Sequence, residues 1–348
     1  MAESGMYVYV SQQGAKQISV YRMSPSGELS KIQDASVTGK VMPMAVSPDR
    51  RFLFAALRTE PYSIASFAID GANGMLTHLG NAPAPNSAPY ISTDRTGRFL
   101  LGAYNPEAEE APRRTGWISV SAISQHGYVQ APHQVIRTPP KTHSILPDPS
   151  NRFAFVASCD GDAMVRYAFD AATGLFDPDP LPPVHVQPRA GPRHFVFHPN
   201  YRFMYLLNEY DGSLYSYGYD ARNGALSEIQ VSSTVPPDFD KERIVRAADL
   251  HLTPDGKWLY ASGRAPMTLA IFRVDTVTGR LTPAGHIPVA KEPRGFNIDP
   301  FGRYLLAAGL LTNSLSSYRI DAETGALTKL ADYPTGDGPN WIEFVRLP

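Results

Sequence analysis

The sequence predicts an all-β fold, a seven-bladed β-propeller in a single domain spanning residues 1–348 and closed by pairing of the C-terminal strand with the N-terminal blade. Three observations lead to this prediction. A strand motif recurs about every fifty residues, a turn with Asp and Gly follows most copies, and the two termini hold complementary parts of one blade. A repeat of this length is typical of propeller blades.

The motif is a proline, three residues and an aromatic residue at the start of an apolar run. Five copies have it, in the runs VSPDRRFLF, PDPSNRFAF, FHPNYRFMY, LTPDGKWLY and IDPFGRYLL, and a sixth has Arg95 in place of the proline. The repeated aromatic residues are separated by 47, 54, 50, 55 and 46 residues; they are Phe52, Phe99, Phe153, Phe203, Trp258 and Tyr304. The spacing predicts one blade per copy.

Each copy continues with a second apolar strand, a polar loop, a third strand and a turn such as IDAETGALTKL at 320–330. In this turn, Asp suits the first position, and Gly suits a residue with positive φ before the last strand. Four strands per copy make one blade. The N-terminal run MYVYVSQQGAKQISVYRMSPSGELSKI supplies three strands and the C-terminal run PNWIEFVRLP supplies one. Pairing them completes a seventh blade and removes the exposed sheet edges.

Composition excludes several classes of partner. The net charge is −1 and the sequence pI is about 6.8, so we expect no nucleic-acid partner. No long apolar run occurs, and the first residues have no basic segment followed by an apolar one, so we expect no membrane partner and a cytoplasmic protein. Cys159 is the only cysteine, which excludes an intrachain disulfide. We expect a monomer.

Polar residues occur at two particular points of the repeat. Adjacent strands of a blade run antiparallel, so the start of the innermost strand and the end of the next one should share one mouth of the central channel. The first point, six residues before the proline position, has Met42, Pro89, His143, Arg193, Ala248 and Arg294. The second, six residues after the aromatic, has Arg58, Asn105, Cys159, Glu209, Arg264 and Leu310.

These polar residues do not repeat from blade to blade, as structural residues would, and this favours a functional site. The alternative is a solvated rim in which Arg193 and Glu209 form an ordinary ion pair. As a site, the set suits acid–base catalysis on an anionic substrate. Glu209 or His143 could accept a proton, one Arg could stabilise an oxyanion, and another could bind a carboxylate or phosphate.

Other chemistries have little support in the sequence. No HExxH motif and no spaced Cys and His group occur, so we predict no metal and no other cofactor. No GxSxG motif marks a nucleophilic serine. Cys159 is interpreted as a small apolar filler.

With these motifs in place, the chain resembles the seven-bladed propeller lactonases, the family of the bacterial 6-phosphogluconolactonases and the fungal 3-carboxy-cis,cis-muconate cyclases. The resemblance covers nearly the whole chain and includes MPMAVSPDRRFLF, NEYDGSL, RAADLHLTPDG, EPRGFNIDPFGRYLLAAG and GDGPNWI. The run GPRHFVFHP, followed by NE, is the most specific. The resemblance implies a small-molecule anionic lactone as substrate and hydrolysis of 6-phosphogluconolactone to 6-phosphogluconate, a step of the pentose phosphate pathway.

The resemblance also implies a catalytic set of His143, Arg193, Glu209 and Arg264. In this interpretation Arg193 polarises the carbonyl oxygen, while Arg264 and Arg294 bind the phosphate. Further candidates for substrate binding are Arg58, Asn105, His194 and Asn208. By period-two alternation, His194 should lie on a strand face opposite or adjacent to Arg193, and His198 should be a turn or packing residue.

Two departures from the family pattern bear on the substrate. Leu310 stands where the resemblance suggests a polar residue such as Gln, and a lysine expected near Asp160 is absent. The segments 104–117 and 236–247, the second with one helical turn, are interpreted as overhanging a rim, either as lids or as solvated loops. Two rival functions stay open: a lactonase or cycloisomerase of the same family acting on another lactone or a muconate, and a binding propeller without catalysis.

Overall fold

The computed structural model describes residues 5–106, 115–240 and 242–348. In this part of the chain the regular structure consists of 29 β-strands, and no segment is helical. It therefore contains no helix of the length and apolarity that a membrane crossing requires. The strands form seven separate sheets.

Each sheet is one blade, and we number the blades in the order of their innermost strands. Blade 1 consists of β4 (Val41–Val46), β5 (Phe52–Leu57), β6 (Ser63–Ile69) and β7 (Leu76–Pro83). Blade 2 consists of β8 (Ser87–Thr93), β9 (Phe99–Asn105), β10 (Gly116–Ala122) and β11 (Gln134–Thr138). Blade 3 consists of β12 (Thr142–Pro147), β13 (Phe153–Ser158), β14 (Ala163–Asp170), β15 (Leu175–Phe176) and β16 (Leu181–His185). In blade 3 the outer strand is divided, and both pieces pair with β14.

Blade 4 consists of β17 (Pro192–Phe197), β18 (Phe203–Asn208), β19 (Ser213–Asp220) and β20 (Ala225–Ser233). Blade 5 consists of β21 (Ala247–Leu252), β22 (Trp258–Gly263), β23 (Thr268–Val274) and β24 (Leu281–Pro288). Blade 6 consists of β25 (Pro293–Ile298), β26 (Tyr304–Gly309), β27 (Ser314–Ile320) and β28 (Leu327–Pro334). Blade 7 is composite, with β29 (Pro339–Arg346) innermost, followed by β1 (Met6–Gln12), β2 (Gln17–Met23) and β3 (Leu29–Ser36).

The ring closes as the sequence predicts. β29 pairs antiparallel with β1, from Met6 opposite Arg346 to Gln12 opposite Pro339. The innermost strands contact one another in the cycle β4, β8, β12, β17, β21, β25, β29 and back to β4, so they surround one channel. The predicted all-β fold, its seven blades and its closure are thus confirmed.

Neighbouring blades are held together by apolar layers and by the two elements of the repeat. Seven buried apolar clusters are present in the described residues, one between each pair of adjacent blades. The repeated aromatic of one blade packs on a turn glycine of the next: a Cβ on Gly325 would lie 2.3 Å from the Trp258 ring, and Gly325 has a φ of +69°. Only glycine fits both requirements. The motif and the turn therefore recur together because they contact each other across blades.

The two rim segments are only partly described. Residues 107–114 of the segment 104–117, and Lys241 of the segment 236–247, lie outside the described residues. The helical turn expected in 236–247 is absent from the described residues of this segment. Phe239 instead donates a main-chain hydrogen bond to Pro236, three residues earlier, which is the pattern of a β-turn.

Candidate active site

A β-bulge at the start of the innermost strands places the predicted rim residues. In blade 4, Pro192 pairs with Asn208 and His194 with Leu207, so that Arg193 has no residue opposite it. His143 and Arg294 occupy the same unpaired position in blades 3 and 6. Bulges bend a strand and redirect side chains. The bulge therefore turns these three residues away from the regular alternation of the strand.

Two of these bulged residues, His143 and Arg294, meet the second predicted series at a cavity of about 320 Å³ at the mouth of the channel. We call it the mouth cavity. Four cationic side chains, one carboxylate and one imidazole line it, together with an amide and two prolines: Arg58, Lys141, Arg264, Arg294, Glu209, His143, Asn105, Pro89 and Pro106. Residues from six blades thus converge on one space with an excess of positive charge.

Glu209 is the anionic centre of the cavity. Its Oε2 accepts from Arg193 Nε at 3.1 Å, and its Oε1 accepts from Arg264 Nη2 at 2.9 Å. Lys141 Nζ lies 3.9 Å from Oε1. Burial alone would raise the pKa of Glu209, but Arg193, Arg264 and Lys141 lower it to about 2. Both oxygens of an ionised carboxylate are therefore occupied by guanidinium donors, and its affinity for a proton is low.

His143 has the opposite character. Its side chain is buried, and its Nδ1 has no hydrogen-bond partner among the described residues. Burial, Arg193 and His194 hold the pKa of His143 well below its usual value, so that the ring is neutral at pH 7. A neutral imidazole without a protein partner is able to accept a proton.

Arg294 is the cation in the cavity with the least internal compensation. Within the described residues, its guanidinium has neither a hydrogen-bond acceptor nor an ion pair. Burial, followed by the charges of Arg193 and Arg264, lowers its pKa. Arginine keeps its charge in proteins, so an anion in the cavity would relieve this repulsion. Arg58 is fixed differently, by a 2.5 Å hydrogen bond to Ser87 Oγ.

Arg264 is held rigidly at the cavity wall. Its Nε donates to the Arg246 carbonyl at 2.7 Å, and its Nη1 lies 3.9 Å from Glu292 Oε1. Glu292 in turn accepts two hydrogen bonds from Arg246, at 2.7 and 3.1 Å. The guanidinium of Arg264 is therefore oriented before any ligand binds.

Three of the predicted residues do not line the mouth cavity. Arg193 lies behind Glu209, with 2% of its surface exposed, and also donates to the Ala248 carbonyl. The expected contact between Arg193 and the substrate carbonyl stays a prediction. His194 lies deeper in the channel, and Asn208 is fully buried in blade 4, where its Nδ2 donates to Ser213 Oγ at 2.8 Å. His198 packs as expected, with Nε2 at 3.1 Å from the Gly256 carbonyl.

Lys141 is a cavity residue that the sequence analysis missed. Its Nζ donates to Tyr210 Oη at 2.7 Å, and Tyr210 Oη bonds to Asp160. A signal for it was present in the sequence, because the residue two positions before each bulged residue varies from blade to blade and is polar in five of six copies: Lys40, Ser87, Lys141, Gly191, Arg246 and Glu292. Lys141 supplies a cation close to Asp160, where the family pattern suggested a lysine.

Cys159 and the segment 236–247 border a separate cleft. Cys159 is fully buried and its thiol donates to the Pro192 carbonyl at 2.9 Å; burial raises its pKa, which agrees with its interpretation as a small filler. Beyond Tyr210 lies a cleft of about 980 Å³, lined by residues of 233–245 and of the loops near Asp160 and Arg189. The rim segment thus borders this larger cleft, and the convergent charges lie in the smaller mouth cavity.

No group of three or more His, Cys, Asp or Glu side chains in 5–106, 115–240 and 242–348 is arranged to hold a metal ion. The donor set of the mouth cavity is mainly cationic, which suits an anion and not a metal. The site is therefore described by its protein side chains alone.

Comparisons with known proteins identify the family of the chain. Residues 6–344 match the family model described as lactonase, 7-bladed beta-propeller. The chain is 37% identical over 340 residues, 98% of both chains, to a protein of Pectobacterium carotovorum named 6-phosphogluconolactonase. A Yersinia pestis protein of the same name is 38% identical over 335 residues, 96% of both chains.

Solved structures give the same result for the fold. A putative 6-phosphogluconolactonase from Bacteroides fragilis superposes with a TM-score of 0.87 at 26% identity, over 99% of both chains. The periplasmic gluconolactonase of Pseudomonas aeruginosa superposes with a TM-score of 0.88 at 24% identity, over 99% of this chain and 100% of the other. The resemblance predicted from the sequence is confirmed: the chain belongs to the seven-bladed β-propeller lactonase family.

Proposed function

We propose that this protein hydrolyses 6-phospho-D-glucono-1,5-lactone to 6-phosphogluconate in the mouth cavity, without a metal ion. The observation that carries the proposal is the charge of that cavity, in which four cationic side chains and one carboxylate surround a neutral histidine. An excess of cations that line a concave site favours an anionic ligand. Relatives that match nearly the whole chain are named 6-phosphogluconolactonase, which supports this choice of anion.

His143 is assigned as the general base. Glu209 is a poor candidate, because both of its oxygens accept from guanidinium groups and its pKa is about 2. His143 is neutral, and its imidazole lines the mouth cavity. The cations around it disfavour its protonated form, and a phosphorylated substrate would offset that effect by adding negative charge to the cavity. The base is therefore strongest when the correct substrate is bound.

Arg264 is assigned to the oxyanion, because two of its nitrogens are fixed by Glu209 and by the Arg246 carbonyl. Preorganised donors of this kind stabilise a developing charge without reorganisation. The phosphate is assigned to Arg294 and Lys141. Arg193 holds Glu209 from behind and is not assigned a contact with the substrate.

The reaction then balances with side chains alone. His143 takes a proton from water as the water oxygen bonds to C1 of the lactone, and the carbonyl electrons move to the oxygen held by Arg264. Collapse of this intermediate breaks the bond between C1 and the ring oxygen. The imidazolium of His143 returns its proton to that oxygen, and the product acid ionises in water.

The test compares hydrolysis of freshly generated 6-phosphogluconolactone with hydrolysis of the phosphate-free lactone, after subtraction of spontaneous ring opening. We expect a strong preference for the phosphorylated lactone. We expect Glu209→Gln to lower kcat/KM by roughly a hundredfold or more, because it removes the charge that orders two arginines. Glu228→Gln, on an exposed part of the same blade, is the control. Equal rates on both lactones, or none above background, would reject the proposal.

A further inference from the structure

A second cavity lies deeper in the channel, below the mouth cavity. It has a volume of about 280 Å³, and we call it the inner chamber. It contains charged and aromatic side chains that the proposed reaction does not use, and these include Tyr90, His194, Asp249, His251, Trp341 and Glu343. Arg193 lies between the two spaces, since it contacts Glu209 on one side and His194 on the other.

Asp249 determines which nitrogen of His194 carries the proton. Asp249 Oδ1 lies 2.9 Å from His194 Nδ1 and Oδ2 lies 3.3 Å from His251 Nε2. The main-chain amides of Leu250 and Phe296 also donate to this carboxylate, at 3.1 and 3.3 Å. Burial would raise the pKa of Asp249, but His251 and His194 lower it further, so the carboxylate is ionised and can only accept. His194 Nδ1 must therefore be the donor.

This tautomer leaves His194 Nε2 as an acceptor, and Nε2 faces Arg193 Nη1 at 3.4 Å. His194 is neutral, because burial and Arg193 lower its pKa to about 4. Protonation, or the other tautomer, would place an N–H against the guanidinium. The same Nη1 also donates to the Ala248 carbonyl, the residue next to Asp249. One bulged dipeptide of blade 5 thus holds Arg193 both directly and through His194.

We propose that Asp249 and His194 form a positioning pair, in which the carboxylate selects the Nδ1–H tautomer of His194 and the bare Nε2 orients the Arg193 guanidinium beneath Glu209. His194 acts through Arg193 and is not in contact with substrate, since it is 4% exposed and lies outside the mouth cavity. The catalytic part of this inference rests on the proposed function; the tautomer does not.

A double-mutant cycle between His194 and Arg193 tests the catalytic part. We expect His194→Phe to lower kcat by roughly 10- to 100-fold with little change in KM, since an oriented charge near the reacting atoms is lost. His194→Gln, which keeps an acceptor near the Nε2 position, should recover most of the loss. In an Arg193→Lys background, His194→Phe should cost less than about threefold, because the group it orients is already gone.

Tyr90→Phe is the matched control: it keeps a ring against His194 in the same chamber and removes a hydroxyl with no hydrogen bond to Asp249, His194 or Arg193 in the described residues. We expect it to change kcat less than about threefold. Equal losses in Tyr90→Phe and His194→Phe would indicate general collapse of the chamber and would overturn the proposal. So would multiplicative losses in the cycle, or no rescue by glutamine.

Nitrogen-15 NMR of histidine-labelled protein at pH 7 tests the tautomer without any substrate. The signal absent in His194→Gln identifies His194. We expect a protonated Nδ1 and an unprotonated Nε2, and a change of the Nε2 shift in Arg193→Lys. A protonated Nε2 contradicts the positioning pair even if the lactone is hydrolysed. The expected tautomer in a protein inactive on both lactones would reject the proposed function and keep the pair.

Discussion

The mouth cavity and the inner chamber lie in the same channel, but their charges are arranged in opposite ways. In the mouth cavity cations outnumber carboxylates, and Arg294 has no acceptor within the described chain. In the inner chamber Asp249 is paired with two histidines, and Glu343 accepts from Trp341 Nε1 at 2.8 Å. An uncompensated buried charge is costly unless a ligand supplies its partner. The presence or absence of a partner within the protein therefore distinguishes two kinds of charged side chain in the channel. Those without a partner are suited to bind a ligand, and those with a partner position their neighbours.

The largest effect expected from this comparison is at the base in the mouth cavity. His143→Phe keeps a ring in the bulge and removes the proton acceptor, so kcat should fall by roughly 10²- to 10⁴-fold. Stopped-flow assays of the phosphorylated lactone would measure it, with the exposed His126→Asn as the control. A His143→Phe enzyme with near-normal kcat would transfer the role of base to another group.

A smaller effect is expected at the unpaired cation. Arg294→Gln should lower kcat/KM for the phosphorylated lactone by roughly 10- to 100-fold, the usual range for a lost charge-assisted hydrogen bond, and should affect the phosphate-free lactone less. The loss should appear mainly in KM and should shrink at high salt, which already screens the attraction. Equal losses on both lactones would show that Arg294 does not bind the phosphate.

Around the inner chamber, the innermost strands pack so closely that we expect a larger side chain to destabilise the fold. A Cβ on Gly295, the residue after the bulge of blade 6, would lie 2.1 Å from the Asn340 carbonyl oxygen of β29. Gly295→Ala should therefore destabilise the fold by up to about 3 kcal/mol, measured by urea unfolding. Gly71→Ala is the control, because a Cβ there meets no atom within 4 Å. Unchanged stability of Gly295→Ala would mean that β25 and β29 can separate at no cost.

An effect of similar size concerns pH and Glu343. Burial raises the pKa of Glu343 from 4.5 to about 7. A group with a raised folded-state pKa stabilises the fold below its unfolded pKa, and this contribution is lost as the pH rises through the folded value. Glu343→Gln should match the wild type near pH 4 and exceed it by about 3 kcal/mol near pH 8, as judged by unfolding at both pH values. A difference that does not depend on pH would exclude titration of Glu343.

The fold was predictable because the repeated residues of one blade contact the repeated residues of the next blade. The repeated aromatic residue packs on the turn glycine of the next blade, as Trp258 does on Gly325. The spacing of these residues in the sequence therefore reflects contacts between neighbouring blades. The mouth cavity was predictable for a related reason. In a ring of equivalent blades, residues such as His143 and Glu209 stand out when they differ from their counterparts.

The directions of the side chains were not predictable. Period-two alternation assumes an unbroken ladder, and the bulge between Pro192 and His194 breaks it where the site begins. Arg193 therefore turns behind Glu209, and His194 reaches the inner chamber. Lys141 has a φ of +51° and lies two residues before the bulged residue of its blade. It was missed because the sequence analysis compared the innermost strands only from the bulged residue onwards. A bulge depends on the pairing of two strands, which a single strand's pattern does not contain.

The bulged position has a consequence for how this scaffold can acquire new substrates. A residue outside the ladder can be exchanged without breaking a strand pairing, so the seven innermost strands offer a ring of replaceable side chains on a constant frame. Met42, Pro89 and Asn340 occupy bulges that hold no charged residue in this protein. Pro89 also lines the mouth cavity, so a library at this position would vary the site while leaving the ring closed, much as antibody loops vary on a fixed sandwich.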